Sequence, residues 1–325
     1  MTNAKLELSP QLIREAAGRI KPLAQHTPVM TSRSIDERAG SRVFLKCENL
    51  QRGGAFKIRG ASNLILSLSQ AELSRGVVAF SSGNHAQATA IAAKYVGARA
   101  TIVMPEDAPR SKMEPTRALG AHIVTYDRLR DDREAIAARE LAETGGTLIP
   151  PFDHPMIMAG QGTVALELLE FLEDVPGGFP DALVVCVGGG GLLAGCATIA
   201  KSMRPGIRIF GVEPELAKDT ALSFAAGERV TIPHSETIAD GLRAPSPGKL
   251  TFPVIRRHVE SILLVSESEI RATMRFLLER LKILVEPSGA VAVAAVLFGM
   301  LPPEIKSVGV VISGGNVDLD FFKTL

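Results

Sequence analysis

The chain has 325 residues, enough for two domains or for one large domain with an inserted lobe. Hydrophobic residues make up 46% of it and charged residues 22%, which is typical of a globular protein with an ample core. The formal net charge of +1 gives no support to a nucleic-acid or membrane-surface role, so neither is expected as a partner.

Cysteine usage and the apolar runs indicate a cytoplasmic protein. Cys47, Cys186 and Cys196 lie in apolar runs without a C-x-x-C spacing, so we expect buried thiols in a reducing compartment. Charged residues interrupt the N-terminus, and no secretory signal is expected. The longest apolar run, 289–301, is too short to cross a membrane and predicts a buried helix.

From residue 77 to residue 149, short β-rich runs alternate with segments of helical length. This alternation is typical of a small parallel sheet covered by helices. The predicted strands are 77–81, 101–104, 122–126 and 147–149, and the predicted helices are 86–95, 111–119 and 133–142.

The alternation resumes after the glycine and proline pairs at 145–146 and 150–151, which predict a lobe boundary. The predicted strands are 183–187, 208–212, 262–265 and 308–312, and the predicted helices are 163–172, 192–203, 267–282 and 288–300. Both halves are therefore α/β, and we expect functional sites at the carboxyl ends of the strands.

Three predicted strands run directly into loops rich in glycine and hydroxyl groups. The first loop, Ser81-Ser82-Gly83-Asn84-His85, opens a helix whose N–H groups would hold a substrate carboxylate. Within it, Asn84 is suited to a phenolic oxygen and Ser82 to moving a proton, although a plain helix cap is the alternative. The third loop, 313–316, has good turn chemistry and alone indicates little.

The second loop contains four consecutive glycines, Gly188, Gly189, Gly190 and Gly191, followed by Leu192. Their successive N–H groups form a nest for a phosphate. The same glycines fit a dinucleotide fingerprint, with Glu213 about 20 residues further on. A nicotinamide- or flavin-binding site is therefore one alternative interpretation of this loop. A tight turn that binds no ligand is the second alternative.

Lys57 lies between Phe56 and Ile58, with Gly54 and Gly60 on either side. A desolvated amine has a lowered pKa and can attack a carbonyl, whereas a surface lysine that keeps its ammonium in water is the simpler alternative. A dinucleotide explains only the glycine loop and Glu213.

Pyridoxal phosphate explains Lys57 and all three loops. Its aldehyde would take Lys57, its phosphate the glycines, its phenolic oxygen Asn84 and its ring nitrogen Ser313. Phe56 and Leu192, which adjoin these groups, complete the predicted cofactor site.

At this point the sequence resembles the fold type II pyridoxal-phosphate enzymes, which are tryptophan synthase β-like, and among them the serine/threonine dehydratases and serine racemases. The matching segments occur in order over almost the entire chain. They are 44–49, 55–61, 81–87, 159–163, 188–191, 211–214, 237–241 and 313–316.

The resemblance implies that Lys57 carries the cofactor covalently and that Ser81, Ser82, Gly83, Asn84 and His85 bind the substrate carboxylate. It also implies two open parallel-sheet domains, with a small domain (77–149) inserted into a large cofactor domain made of 1–76 and 150–325. A homodimer is expected from the resemblance alone. Feedback by isoleucine is not expected, because no regulatory module follows Leu325.

The activity expected is a lyase reaction on L-threonine or L-serine that gives a 2-oxo acid and ammonia. After the substrate amine displaces Lys57, the released amine would remove the Cα proton, and the β-hydroxyl would then leave. Serine racemase and 3-hydroxyaspartate dehydratase are the alternatives within the family. Ser82 distinguishes racemisation from elimination, because a donor that protonates Cα from the face opposite Lys57 permits racemisation of serine. A nicotinamide-linked oxidoreductase, the alternative from another class, leaves Lys57 and Ser313 without a role.

Two acidic residues, Glu213 and Asp219, follow a predicted strand six residues apart. With the carbonyl of Ala217 and water, they would suit a hard cation such as Mg²⁺, Mn²⁺ or Ca²⁺. Their spacing resembles the cation site of serine-racemase-like enzymes, and a solvated acidic turn is the alternative.

Arg133 falls where relatives place an arginine above the active site, but a solvated helix face is the simpler role.

Overall fold

The computed structural model describes residues 6–81, 83–108, 110–127 and 130–325. The strands are β1 (Val29–Met30), β2 (Arg42–Cys47), β3 (Val77–Phe80), β4 (Ala100–Pro105), β5 (His122–Tyr126), β6 (Thr147–Leu148), β7 (Ala182–Cys186), β8 (Arg208–Pro214), β9 (Ser261–Val265) and β10 (Ser307–Ile312). They form a six-stranded sheet in the order β1-β2-β10-β7-β8-β9 and a four-stranded sheet in the order β5-β4-β3-β6.

Neighbouring strands are parallel in both sheets, apart from the short β1, which pairs antiparallel with β2. Parallel strands need crossover helices, which then cover both faces of a sheet and bury its strands. The predicted α/β fold with two open parallel sheets is confirmed.

The helices that cover the sheets are α1 (Pro10–Ile20), α2 (Arg33–Ala39), α3 (Lys57–Ile65), α4 (Gln70–Arg75), α5 (Asn84–Tyr95), α6 (Arg110–Ala118), α7 (Arg133–Thr144), α8 (Pro155–Glu173), α9 (Gly191–Met203), α10 (Asp219–Ala226), α11 (Thr251–His258), α12 (Glu267–Phe276) and α13 (Pro287–Leu297). Among the residues described, no helix combines the length and the apolarity that a membrane crossing needs.

Helix α8 packs at the centre of the molecule, against α1, α3 and α9, and its glycines permit close approach. A Cβ atom on Gly160 would lie 2.4 Å from the carbonyl oxygen of Arg59 in α3. A Cβ atom on Gly162 would lie 2.8 Å from the carbonyl oxygen of Gly195 in α9. The backbones of α3 and α9, which begin at the two principal predicted site segments, are therefore held against one helix.

The predictions differ from the structure in several places, and they include no element before residue 77 and no helix α10. Helix α8 begins at Pro155 and not at residue 163, and α11 was not predicted. The helix predicted over 267–282 ends at Phe276 and continues as a π-helical turn, Leu277–Leu281, before Lys282 takes a left-handed conformation at φ 62°.

Candidate active site

Lys57 is the first residue of α3, and the segment before it is hydrogen-bonded to the loop after β10. Ala55 forms a β-bridge with Gly314, and the Phe56 N–H donates to the Ser313 carbonyl over 3.1 Å. The Gly315 N–H returns a bond of 2.8 Å to the Gly54 carbonyl. The structure thus places Lys57 directly beside the third predicted loop.

The Lys57 amine is partly buried and donates to the carbonyl oxygen of Pro151 over 2.8 Å. Burial lowers its pKa to about 8, although the nearby Cys186 and Glu286 act in the opposite direction. With a pKa of about 8, about one amine in ten is neutral at pH 7, far more than for an ordinary lysine. Pro151 belongs to a proline pair that the sequence indicated only as a boundary.

Behind Lys57, Arg59 anchors the first turn of α3 through a fully buried guanidinium. It donates to both carboxylate oxygens of Glu48, over 2.7 and 2.9 Å, and to both of Glu167, over 2.6 and 2.8 Å. Lys46, also fully buried, donates to Glu167 over 2.7 Å. The two forked ion pairs fix the direction in which α3 starts.

The predicted carboxylate loop follows β3 and leads into α5. The Ser81 hydroxyl accepts from the Gly83 N–H over 3.2 Å, and Ser82 lies outside the described residues. The His85 Nε2 is 2.8 Å from the carbonyl of Ile149, so Nε2 carries the proton. Burial and the nearby Lys57 lower the pKa of His85 to about 3, and its ring is neutral. Any carboxylate here would therefore be held by backbone N–H groups, not by an imidazolium.

Asn84 is held in one orientation by two neighbours that are distant in sequence. Its Nδ2 donates to Glu286 over 2.8 Å, and its Oδ1 accepts from Asn316 Nδ2 over 2.9 Å. Asn316 Nδ2 also donates to the Gly53 carbonyl over 2.7 Å. An amide nitrogen has two N–H groups, so Asn84 retains a donor beyond the bond to Glu286.

The four-glycine loop leaves no room for side chains and begins α9. Gly190 has φ +89°, and a Cβ atom on Gly189 would lie 2.3 Å from the Phe152 ring. A Cβ atom on Gly191 would lie 2.5 Å from the Oε1 atom of Gln161, and one on Gly188 would lie 3.2 Å from the Gly241 carbonyl. The first N–H groups of a helix have no partner within it, so this backbone is suited to an anion. Leu192 is buried in the first turn.

Ser313 is buried at the end of β10, with its hydroxyl 3.4 Å from the Ser288 carbonyl and beside the Cys186 thiol. Burial raises the pKa of Cys186 to about 11, so the thiol is neutral. The bond to Ser288 is long, and the hydroxyl keeps its capacity to bind a ring nitrogen.

Taken together, these residues fit pyridoxal phosphate. The fold brings Lys57, with its lowered pKa, into one region with groups from all three predicted loops. These groups are the anion-binding backbone of the four-glycine loop, the amide donor of Asn84 and the neutral hydroxyl of Ser313.

Glu213 and Asp219 are fully buried at the carboxyl end of β8, next to the buried Ala217. The carboxylate of Glu213 accepts from the Thr220 N–H over 3.1 Å and the Ala221 N–H over 2.8 Å, which caps α10. Neither carboxylate oxygen of Asp219 has a hydrogen-bond partner among the described residues. Burial raises the pKa of both acids above the usual carboxyl range, and the charge of Asp219 raises the pKa of Glu213 further.

In the part of the chain that the structure describes, no group of three or more His, Cys, Asp or Glu side chains is arranged to hold a metal ion. A cation at Glu213 and Asp219 would therefore need main-chain carbonyl oxygens and water to complete its shell.

Comparison with known proteins gives a consistent result. A family model described as "Pyridoxal-phosphate dependent enzyme" matches residues 20–314. The chain is 49% identical to a Saccharomyces cerevisiae protein named L-threo-3-hydroxyaspartate ammonia-lyase, over 96% of this chain and 94% of that one. It is 47% identical to an Arabidopsis thaliana serine racemase, over 96% and 95%. The structure of maize serine racemase superposes with a TM-score of 0.92 at 45% identity, covering 98% of this chain and 96% of that one.

Proposed function

Because the chain belongs to the pyridoxal-phosphate dependent enzyme family, with a fold of type II and an activity of the lyase type, we propose that it is an ammonia-lyase for β-hydroxy amino acids. Family membership also argues against the alternative function of a nicotinamide-linked oxidoreductase, which the glycine loop alone suggested. The observation that carries the proposal is the Lys57 amine, with a pKa of about 8, between the three strand-end loops.

Pyridoxal phosphate supplies an aldehyde for amines and a conjugated ring that accepts electron density from Cα. Lys57 would hold the aldehyde through its amine, and the free amine would serve as the base for the Cα proton. The N–H groups of Ser81–His85 would hold the substrate carboxylate. The N–H groups of Gly188–Leu192 would hold the phosphate. Asn84 would donate to the phenolic oxygen and Ser313 would bind the ring nitrogen, where its hydroxyl adds no negative charge.

The preferred substrates are L-threo-3-hydroxyaspartate and L-serine, ahead of L-threonine. Supporting this order, the relatives reported above carry names that refer to 3-hydroxyaspartate and serine. Arg133, which is exposed on α7, lies with its guanidinium 5.3 Å from the ring of Phe80, directly before the carboxylate loop. A cation in this position suits the second carboxylate of 3-hydroxyaspartate.

The test is ammonia release from L-threonine, L-serine and both diastereomers of 3-hydroxyaspartate. Lys57→Ala should abolish release, and reduction of the wild type with borohydride should fix the cofactor to Lys57, as read by mass spectrometry. Arg133→Met should lower kcat/KM for 3-hydroxyaspartate about tenfold or more but leave serine within about twofold. Arg139→Met, on the same helix and also exposed, is the matched control. A fully active Lys57→Ala would refute the proposal, and equal losses for both substrates would refute the role of Arg133.

Serine racemisation is the second candidate activity, supported by the similarity to serine racemases. Ser82, which lies outside the described residues, is proposed as the proton donor opposite Lys57. Chiral chromatography of serine after incubation should detect the D-enantiomer with the wild type and much less with Ser82→Ala. Equal amounts from both proteins would exclude this role for Ser82.

We also propose that Mg²⁺, Mn²⁺ or Ca²⁺ binds at Glu213, Asp219 and the Ala217 carbonyl. The support is the fully buried Asp219 carboxylate without a partner among the described residues. A cation would offset the repulsion between the two acids. Chelator should lower Tm and activity, Mg²⁺ should restore both, and Asp219→Asn should respond to neither. A wild type that is indifferent to chelator would argue against the site.

The three free, buried cysteines support a reducing, cytoplasmic location.

A homodimer is proposed from family resemblance, and light scattering should give a mass of about twice 34.5 kDa. The monomer mass at micromolar concentration would contradict it.

A further inference from the structure

Gln161 is a buried polar residue between Lys57 and the four-glycine loop that the proposed mechanism does not use. It lies on α8 within the segment 159–163 and is 1% exposed. Its Nε2 donates to the Pro151 carbonyl over 3.3 Å, the same oxygen that accepts from Lys57 over 2.8 Å. The side chain therefore adjoins the amine on one side.

The other end of the Gln161 amide reaches the start of α9. Its Oε1 has no hydrogen-bond partner among the described residues, and it lies 2.5 Å from the position that a Cβ atom on Gly191 would occupy. An amide oxygen pairs only with a donor, and leaving it buried without one is unfavourable, so this orientation of the amide is not the one expected beside a bound anion. The first turn of α9, whose N–H groups have no acceptor within the helix, begins at the same residue, Gly191.

Rotation of the amide by 180° about the Cγ–Cδ bond exchanges its oxygen and nitrogen. The bond given up, at 3.3 Å, is long for an N–H···O hydrogen bond. The turned amide presents its N–H donors to an anion at Gly188–Gly191, and hydrogen bonds to an anion are stronger than bonds between neutral groups.

We propose that Gln161 is a further cofactor-binding residue, which donates from its amide to the phosphate group held by the four-glycine loop. The inference rests on the proposed function only in that pyridoxal phosphate binds beside Lys57. Once turned, the amide places Oε1 toward the Pro151 carbonyl, and the Lys57 amine, which donates to that carbonyl over 2.8 Å, is the donor available to Oε1.

The test compares the affinity of cofactor-free variants for pyridoxal 5′-phosphate and for pyridoxal, which has the same aldehyde but no phosphate. Gln161→Met keeps the volume and removes both polar atoms, and its affinity for the phosphorylated aldehyde should fall about tenfold. Gln161→Glu adds a negative charge at the same size, and the affinity should fall about a hundredfold. Pyridoxal affinity should stay within about twofold of the wild type for both variants.

Gln51→Glu is the matched control, because Gln51 is also a buried glutamine but its hydrogen bonds run to Gln25 and Arg52. Its affinities for the two aldehydes should change by the same factor. If both aldehydes lose affinity equally in the Gln161 variants, or if neither does, Gln161 does not contact the phosphate. Gln161→Met decides the question alone if Gln161→Glu does not fold. Should borohydride reduction of the wild type leave no cofactor on Lys57, the proposed function fails instead, whatever the Gln161 variants do.

Discussion

At the residue scale, the reactivity of Lys57 comes from its surroundings and not from its type. The amine keeps one carbonyl partner, Pro151, and lies 5.0 Å from the centre of the Phe56 ring. Burial removes water from the ammonium, and the pKa falls from 10.5 to about 8.

The rate of cofactor capture by the cofactor-free protein should therefore follow the neutral amine. It should rise about tenfold per pH unit up to pH 8 and level off above, because the folded pKa lies below that of a free lysine. Stopped-flow absorbance from pH 6 to pH 10.5 measures this rate. A rate that keeps rising to pH 10 would show an ordinary lysine at this position.

Arg59 makes a second prediction at this scale, on stability. Arg59→Met would leave Glu48 and Glu167 buried without their guanidinium, and should lower the free energy of unfolding by about 3–5 kcal/mol. Arg208→Met also removes two ion pairs, but on the surface with Glu260 and Glu304, and should lower the free energy of unfolding much less than Arg59→Met. Urea unfolding of both variants tests the contrast, and similar losses would contradict it.

At the scale of elements, the small residues of α8 set how closely α3 and α9 approach it. Gly160→Ala and Gly162→Ala would insert a methyl group against backbone atoms, and each should destabilise the fold by about 1–3 kcal/mol. Gly18→Ala on α1, where nothing lies within 4 Å of the new Cβ atom, should stabilise by about 0.5–1 kcal/mol. Thermal unfolding compares the three variants. Equal effects would mean that α8 can shift to accommodate side chains.

The same elements explain which parts of the fold could be predicted from the sequence. Several of the apolar strands after residue 76 have glycine or proline near one end, as at Gly76, Pro180 and Gly188, and the predicted positions of the strands are confirmed to within a few residues. Helix α8 was predicted too short because Gly160 and Gly162 weaken helix propensity, which packing overrides in the folded chain. Helix α11 was missed because Pro253 lies near its start, where a helix tolerates proline.

The candidate site divides in the same way. Lys57 and the glycine loop have local sequence signals, whereas the contacts of Asn84 depend on residues more than 200 positions away. The glycine loop between a predicted strand and a predicted helix could be recognised from the sequence. The positions of the Pro151 carbonyl and the Gln161 amide beside Lys57 could not. Their roles come from where packing places them, which no short pattern records.

At the scale of the whole molecule, the predicted cofactor contacts come from segments on both sheets. Asn84 begins α5 on the four-stranded sheet, whereas the glycine loop and Ser313 follow strands of the six-stranded sheet. A ligand that binds only the folded arrangement stabilises it by mass action.

Removal of the cofactor should therefore lower Tm of the whole chain in a single transition. At a concentration one hundred times Kd, the loss is about 3 kcal/mol. Calorimetry of the protein before and after treatment with hydroxylamine measures it, with readdition of pyridoxal 5′-phosphate as the control. Two separate transitions, of which only one shifts, would mean that the cofactor stabilises one sheet alone.

The pairing of β2 with β10 has a consequence for biosynthesis. Within the six-stranded sheet β2 lies between β1 and β10, with residues 42–47 aligned against 307–312. During translation the ribosome must release the chain through residue 312 before β2 can acquire its parallel neighbour. The same late segment supplies Gly314 for the bridge to Ala55. A nascent chain stalled before residue 307 therefore has neither the completed sheet nor the anchored lysine, and catalytic competence requires residues 307–314 to have left the ribosome.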